Sequence, residues 1–283
     1  MRFMSYEADG MAGLAVETSD GYRGLTADSA DWPGDLDDIV RQGSLDAAGA
    51  LLARGAPVDP DAVTPTLPFR RAGKVLCVGL NYIDHASESN MALPEYPTVF
   101  VRFNGNLVAH RGDLVRPGLS DQFDYEGELV AVIGKAGRAI SAEDALDYVA
   151  GYTVFNDGSI RDYQLRTNQW TIGKNFDRTG SMGPCFVTSD MLPPGAAGLR
   201  ISTRLNGDIV QDANTDDLVF PVADLIAKIS AAMTLEPGDL IVTGTPSGVG
   251  FARDPKLFMK PGDVCEVEVE KVGVLRNRVT AEA

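Results

Sequence analysis

The sequence predicts a β-rich α+β protein whose strands form a rolled or sandwiched mixed sheet. From Lys74 onward, continuous apolar runs of strand length recur, among them KVLCVGL, GELVAVIG and GYTVFND. Near the end of the chain, GDVCEVEVE alternates valine with glutamate, which is typical of a strand with one buried face. Helical patterns are too few to alternate with these strands, so a regular βαβ array is not predicted.

The first part of the chain predicts a small appendage. We expect residues 1–70 to form an N-terminal α+β domain and residues 71–283 the main domain. LAVETSDGYRGL predicts a hairpin at Asp20-Gly21, and SLDAAGALLARG predicts a short helix from Ser44 to Gly55. The proline-rich segment APVDPDAVTPTLPF then marks the boundary.

Four further elements follow in the main domain. SAED, at residues 141–144, has the character of a capping box at the start of a helix. LRISTRLNGDIVQ predicts a hairpin with a type I′ turn at Asn206-Gly207. PVADLIAKISAAM predicts a helix with Pro221 near its first turn, and GDLIVTG predicts another strand.

The composition excludes some classes of partner. A formal net charge of −15 argues against a nucleic-acid or anionic-membrane surface, because both require basic patches. No apolar stretch approaches the roughly 18–20 residues that span a bilayer. MRFMSYEADG lacks the basic-then-apolar pattern of a signal peptide. An odd, scattered set of cysteines fits a reducing compartment, so we expect a cytoplasmic protein.

The stretch DYEGELVAVIG places two carboxylates at the start of an apolar strand. Glu126 and Glu128 are two residues apart, so on a strand their side chains point to the same face. Like charges that close raise each other's pKa unless a cation or water separates them. From this stretch alone, a solvent-facing strand end explains the pair equally well.

A third carboxylate, Asp157, ends the strand GYTVFND, where it could simply cap the turn that follows. If it converges with Glu126 and Glu128, the three form an all-oxygen site suited to Mg²⁺, Mn²⁺ or Ca²⁺. Zinc is disfavoured, since His85 and His110 are the only histidines of the chain and no cysteine has ligand spacing.

The segment NYIDHASE contains a candidate general base. His85 and Glu88 share a helical face at i and i+3, so the carboxylate could orient and polarise the imidazole. A lone surface histidine is nevertheless the commoner explanation.

Several polar residues are candidate anion ligands, although each alone has the character of an ordinary loop or surface residue: Arg161, Gln164, Lys174 and Thr245. GTPSGVG lacks the Lys-Ser/Thr pair of a phosphate loop, and VGLNYIDHA lacks the glycines of a dinucleotide fingerprint. No nucleotide cofactor is therefore indicated.

Seven motifs in order resemble the fumarylacetoacetate hydrolase family. They are VGLNYIDHASE, DYEGELVAVIGKAGR, GYTVFNDGSIRDYQ, GKNFDRTGSMGPCFVT, LNGDIVQDANTDDLVF, IVTGTPSGVG and MKPGDVCEVEVEKVGVLRN, between about residues 72 and 280. The resemblance implies a mixed β-roll, a homodimer and one divalent metal ion per active site, Mg²⁺ or Mn²⁺.

Residue roles follow from the same resemblance. Glu126, Glu128 and Asp157 match the metal ligands, which would explain the paired glutamates. His85 and Glu88 match a water-activating dyad on a lid segment. The remaining matches concern the substrate: Lys174 near metal and substrate, Arg161 and Gln164 in contact with the substrate, and Thr245 in the TGTP loop.

Two positions depart from the family pattern. Longer fumarylacetoacetases have an additional aspartate ligand where this chain has Val78. Many relatives have Lys-Pro where this chain has Arg102-Phe103, and we expect Arg102 to contact the substrate. Both departures weaken the transfer of fumarylacetoacetate hydrolysis itself.

The expected function is metal-dependent cleavage of a C–C bond in a 2,4-dioxo acid, of the acylpyruvate or 2,4-diketo-3-deoxy sugar acid type, to pyruvate and a second acid. The substrate would be a small anionic 2-oxo acid. Oxaloacetate decarboxylation and isomerisation or hydration of a 2-oxo-dienoate would use the same metal site. An alternative from another class is a non-catalytic Ca²⁺-binding module.

Overall fold

The computed structural model describes residues 1–83 and 95–283. His85 and Glu88, the predicted dyad, lie outside the described residues. The strands, in chain order, are β1 Arg2–Ala8, β2 Met11–Thr18, β3 Gly21–Thr26, β4 Ala56–Pro57, β5 Thr64–Pro65, β6 Val75–Gly79, β7 Thr98–Val101, β8 Leu107–Ala109, β9 Leu114–Arg116, β10 Phe123–Asp124, β11 Gly127–Ile133, β12 Val149–Asn156, β13 Ser159–Ile160, β14 Gly180–Thr188, β15 Arg200–Leu205, β16 Asp208–Asn214, β17 Leu240–Val242, β18 Val264–Val269 and β19 Gly273–Ala281.

The strands form a mixed, β-rich architecture, as predicted. The main sheet has 12 strands, in the order β4-β3-β2-β1-β14-β12-β11-β17-β6-β7, with β5 on β1 and β8 on β14. A second sheet of five strands has the order β16-β15-β18-β19-β9, and β10 pairs with β13. Most pairs are antiparallel, whereas β17 with β6, β14 with β8 and β19 with β9 are parallel.

The central strand β11 is buried along its whole length. Leu129, Ala131 and Ile133 contribute to one hydrophobic core, and the alternate residues Val130 and Val132 contribute to another. A strand covered on both faces carries a continuous apolar run instead of an alternating one. This explains the run that follows the two glutamates.

The described helices are short. They are α1 Leu36–Gln42, α2 Leu45–Leu52, α3 Arg161–Gln164, α4 Thr171–Lys174 and α5 Val222–Ala232, with 3₁₀ turns at Asn104–Asn106, Ala145–Tyr148, Ser189–Met191, Pro194–Ala196, Thr215–Asp217 and Gly250–Ala252. Among the residues described, no helix is long and apolar enough to cross a membrane.

Most of the predicted local elements are present. The hairpins lie at the two predicted turns, and Asn206 and Gly207 have φ of 54° and 91°, as a type I′ turn requires. The helix predicted from Ser44 to Gly55 ends earlier, at Leu52. The helix predicted after SAED is wrong: a single 3₁₀ turn, Ala145–Tyr148, leads directly into β12.

The N-terminal segment is joined closely to the rest of the chain. β1 pairs with β14, so the first strands extend the main sheet. Phe3 and Leu14 lie in the same hydrophobic core as Phe155 and Phe186. The division at residue 70 stays a prediction, and within the described structure the two parts share a sheet and a core.

Candidate active site

Three carboxylates meet where two neighbouring strands begin and end. Glu126 immediately precedes β11, Glu128 is its second residue, and Asp157 follows β12. Because β11 and β12 are antiparallel, the start of one lies beside the end of the other, and Gly127 pairs with Asn156. Carboxylate oxygens of the three acidic residues lie within 4.8 Å of one another. The predicted convergence is therefore present.

Two buried arginines each hold one carboxylate oxygen of the cluster. Arg161 Nη1 lies 2.7 Å from Glu126 Oε1, and Arg102 Nη1 lies 2.7 Å from Asp157 Oδ1. These contacts leave Oε2 of Glu126 and Oδ2 of Asp157 facing a common point.

Glu128 is held by the main chain. The backbone N–H of Gly244 donates to Glu128 Oε2 over 2.6 Å. Gly244 has a φ of +105°, and a Cβ there would approach Asn81 Cβ to 2.8 Å, so glycine lets the loop come close.

The ammonium group of Lys174 lies between two of the carboxylates, 2.6 Å from both Glu126 Oε2 and Asp157 Oδ2. Burial acts to lower the pKa of Lys174, but the charges of Asp157 and Glu126 outweigh it and raise that pKa. Lys174 therefore remains a cation inside the site. The short helix α4, which packs against α3, delivers it there.

Glu128, the third carboxylate, differs from Glu126 in the direction of its pKa shift. The pKa of Glu126 is lowered, because Lys174 and Arg161 overcome the effect of burial. The pKa of Glu128 is raised well above its usual range by burial and then by Asp157 and Glu126. No ion pair to Glu128 exists among the described residues.

The charges in the described part of this buried cluster do not balance. The carboxylates are Asp124, Glu126, Glu128 and Asp157, and the cations are Arg102, Arg161 and Lys174. One negative charge is left over, and an unpaired buried charge is costly. Three buried carboxylates with spare charge and no nearby sulfur or imidazole ligand in the described chain fit a hard divalent cation such as Mg²⁺ or Mn²⁺.

A cavity of about 110 Å³ lies directly against Glu126 and Glu128. Its polar lining comes from Glu126, Glu128, Arg161, Gln164, Lys174 and Thr245, and its apolar lining from Val78, Leu80, Phe100, Leu165, Trp170, Val249, Phe251 and Ala252. Val78 is an apolar wall residue here, where longer fumarylacetoacetases have an aspartate.

The substrate-binding candidates divide into two groups. Arg161, Gln164 and Thr245 all line the cavity. Arg161 Nη2 is buried and has no hydrogen-bond partner among the described residues, so it can serve an incoming anion. Arg102 is not among the lining residues: its side chain is fully buried behind Asp157 and bonds to Gly158 O and Thr179 Oγ1 as well.

Sequence reasoning missed Asp124, which organises one wall of the cavity. Its carboxylate accepts hydrogen bonds from Arg161 Nε and from the backbone N–H groups of Gly250 and Phe251. It therefore ties the loop after β17 to the arginine that holds Glu126. The same i, i+2 alternation that drew attention to Glu126 and Glu128 extends back to Asp124.

The cysteines take no part in this site. Cys77, Cys185 and Cys265 are free and buried, and burial raises the pKa of Cys265 to about 12. Such thiols are unreactive.

Comparison with known proteins agrees with this geometry. The model of the fumarylacetoacetate (FAA) hydrolase C-terminal family matches residues 74–280. The chain belongs to the fumarylacetoacetate hydrolase family. It is 41% identical over 288 residues to the human protein named oxaloacetate tautomerase FAHD2A, mitochondrial, covering 99% of this chain and 91% of that protein.

Solved structures of family members share the fold. A putative HpcE protein from Mycobacterium smegmatis superposes with a TM-score of 0.87 at 35% identity, covering 100% of both chains. The maleylpyruvate hydrolase from Sphingobium sp. SYK-6, in complex with manganese(II) and pyruvate, superposes with a TM-score of 0.82 at 28% identity, also covering 100% of both chains. The predicted family and β-rich fold are confirmed, and the chain is a metal-site enzyme of this family. The homodimer stays a prediction.

Proposed function

We propose that this enzyme acts on the enol form of a small 2-oxo acid, and that its reaction is the keto–enol tautomerisation of oxaloacetate. The observation that carries this is the set of three buried, converging carboxylates beside a small cavity with cationic donors. Such a site suits a substrate that gathers negative charge as it reacts.

A divalent cation held by Glu126, Glu128 and Asp157 would supply Lewis acidity, which stabilises negative charge on a neighbouring substrate oxygen. The protein's own groups then bind and orient the acid. Arg161 Nη2 has spare N–H donors for a carboxylate, and Lys174 adds a positive charge beside Glu126.

Tautomerisation requires little of the site beyond this charge stabilisation and binding of the acid. One proton moves between C3 and the oxygen on C2, no carbon–carbon bond breaks and no water is consumed. The small cavity fits a compact diacid, whose second carboxylate would need a cationic donor such as Arg161. The similarity to a human oxaloacetate tautomerase extends over 99% of this chain, which supports the same reaction here.

Hydrolysis of a C–C bond in a 2,4-dioxo acid is the second candidate. It is supported by the similarity to a maleylpyruvate hydrolase and by the sequence NYIDHASE, in which His85 and Glu88 would activate the attacking water. Decarboxylation of oxaloacetate needs the same charge stabilisation but no attacking water.

A substrate panel separates these reactions. Keto–enol exchange of oxaloacetate would be followed by the ultraviolet absorbance of the enol, and pyruvate release from oxaloacetate and from acylpyruvates by a coupled dehydrogenase. Each would be run with Mg²⁺, with Mn²⁺ and with EDTA, for wild type and His85→Ala.

Accelerated exchange without pyruvate release is the expected result. Pyruvate release from an acylpyruvate that depends on His85 would establish the hydrolase instead. Pyruvate release confined to oxaloacetate would establish a decarboxylase, and no metal-dependent change in any substrate would refute the proposal altogether.

A further inference from the structure

Gln211 on β16 is a fully satisfied, buried amide that lies beside the cavity wall. Its Oε1 accepts hydrogen bonds from the backbone N–H of Gly127, at 3.0 Å, and from Thr203 Oγ1, at 2.7 Å. Its Nε2 donates to Thr245 Oγ1, at 2.8 Å, and to Pro246 O, at 2.9 Å. An amide side chain offers two acceptor sites and two donor protons, so all four are in use.

The surroundings fix which end of the amide is which. A backbone N–H can only donate, so the atom facing Gly127 must be the oxygen. A backbone carbonyl can only accept, so the atom facing Pro246 must be the nitrogen. The orientation of the Gln211 amide is thus set by two groups whose roles cannot be exchanged.

The fixed orientation of the Gln211 amide restricts where the hydroxyl proton of Thr245 can point. Because Gln211 Nε2 donates to Thr245 Oγ1, the hydroxyl proton of Thr245 cannot point back at Gln211. Thr245 lines the same cavity as Glu126 and Glu128. Its hydroxyl proton is therefore left for an acceptor other than Gln211, such as a ligand oxygen in the cavity.

We propose, on the basis of the function proposed above, that Gln211 is a positioning residue that sets Thr245 as a hydrogen-bond donor to an oxygen of the 2-oxo acid. Gln211 itself does not line the cavity; it acts through Thr245. A hydroxyl free to rotate would present a lone pair to the anion in part of its population, whereas the oriented hydroxyl presents its proton.

The same amide fixes the distance between two parts of the site. Gly127 stands between the carboxylates Glu126 and Glu128, while Thr245 belongs to the loop after β17. A Cβ at position 127 would overlap Thr203 Oγ1, so glycine is needed for Gln211 and Thr203 to reach the backbone there. This accounts for the glycine between the two glutamates of the sequence EGE.

The test is calorimetric binding of pyruvate to the full-length protein saturated with Mn²⁺. Gln211→Glu keeps both acceptor contacts but replaces the donor by an acceptor, which draws the Thr245 proton away from the cavity. Gln211→Met removes all four bonds at nearly the same length, and covers the case in which a buried carboxylate prevents folding. Thr245→Val removes the hydroxyl with little change of shape, and Thr245→Ser retains it.

The expected result is a loss of pyruvate affinity of about tenfold or more for Gln211→Glu, Gln211→Met and Thr245→Val, as one hydrogen bond to a charged group is lost. Combining Gln211→Met with Thr245→Val should cause no further loss, because both act through one hydroxyl. Thr245→Ser and the matched control Thr203→Val, which removes only a bond to Oε1, should bind like wild type. Mn²⁺ affinity should be unchanged in every variant.

Gln211→Met that folds and binds pyruvate as tightly as wild type would overturn the inference, as would additive losses in the double variant. Wild-type protein that binds Mn²⁺ but no pyruvate would also overturn the inference, whereas failure of the proposed function is seen separately, as wild type that does not accelerate keto–enol exchange of oxaloacetate.

Discussion

Arg102 Nη1 lies 2.7 Å from Asp157 Oδ1, and both side chains are completely buried. The guanidinium also donates to Gly158 O and Thr179 Oγ1, at 2.9 and 3.0 Å. Asp157 is thereby held so that its other oxygen, Oδ2, faces Lys174 and the carboxylates of β11. Arg102, at a position where many relatives have lysine, thus holds the predicted metal ligand Asp157 through its Oδ1 atom.

Arg102→Met should weaken Mn²⁺ binding about 10–100-fold, the usual cost of removing a group that orients a metal ligand. It should also lower the free energy of unfolding by about 3 kcal/mol, because buried Asp157 would keep Lys174 but lose one of its two cationic partners. Arg102→Lys should retain more of both, since it keeps the charge. Titration calorimetry and urea unfolding measure the two quantities.

An exposed arginine provides the matched control. Arg111 pairs with Asp61 at the surface, and Arg111→Met should leave Mn²⁺ affinity unchanged. Equal Mn²⁺ affinity in wild type and Arg102→Met would show that Asp157 needs no support from Arg102.

Glu128→Gln should stabilise the metal-free protein. It removes the one carboxylate of the described cluster that lacks a cation, and a glutamine oxygen can still accept from Gly244 N. We expect the free energy of unfolding in EDTA to rise by about 1–3 kcal/mol. The stabilisation that Mn²⁺ gives to wild type should disappear in this variant.

Thermal unfolding with EDTA and with Mn²⁺ tests both expectations. Glu143→Gln, at an exposed glutamate, is the control and should behave as wild type. A less stable Glu128→Gln protein in EDTA would refute the charge argument.

Lys174→Met should have the opposite effect in EDTA. Glu126 and Asp157 would lose the cation they share, so we expect a loss of about 3–5 kcal/mol in the free energy of unfolding. Mn²⁺ should restore part of it, because a second source of positive charge becomes available. Lys260→Met, at an exposed lysine, is the control for chemical unfolding. If Lys174→Met unfolds at the same urea concentration as wild type in EDTA, the lysine is not the counter-ion of the site.

His110 should make stability depend on pH. Burial, and then Arg111 and Arg276, lower the pKa of His110 to about 4. Its Nδ1 accepts from the backbone N–H of Arg276, so the folded protein holds the imidazole neutral. In the unfolded chain the pKa is about 6.5, so that state takes up a proton first as the pH falls, and stability is lost from about pH 6.5 down to pH 4.

His110→Asn tests this, because its side-chain oxygen can still accept from Arg276. The melting temperature of wild type should fall more steeply than that of His110→Asn between about pH 7 and pH 4.5. Parallel curves would mean that His110 titrates alike in both states.

Much of the site could be predicted because it depends on local rules. The i, i+2 spacing of Glu126 and Glu128 requires only a strand, and the end of GYTVFND places Asp157 beside them once the two strands pair. The apolar run of β11 and the Asn-Gly turn are equally local signals. These rules also predicted a β-rich fold.

The rest depends on contacts between distant residues. Arg102 and Asp157 are 55 residues apart, and Lys174 and Glu126 are 48 apart. Nothing in the sequence near Arg102 tells whether it faces the cavity or the back of a ligand. At SAED, Ser141 does accept from the backbone N–H of Asp144, as in a capping box, but the chain makes only one 3₁₀ turn before it enters β12.

The most direct measurement is the rate of keto–enol exchange of oxaloacetate with Mn²⁺, after EDTA, and after Mn²⁺ is restored, for wild type and Asp157→Asn. We expect wild type to accelerate exchange with Mn²⁺, to fall to the uncatalysed rate in EDTA, and to recover. Asp157→Asn should stay at the uncatalysed rate throughout. Exchange that is equally fast in EDTA, or in Asp157→Asn, would contradict the claim that the three carboxylates hold the ion on which the reaction depends.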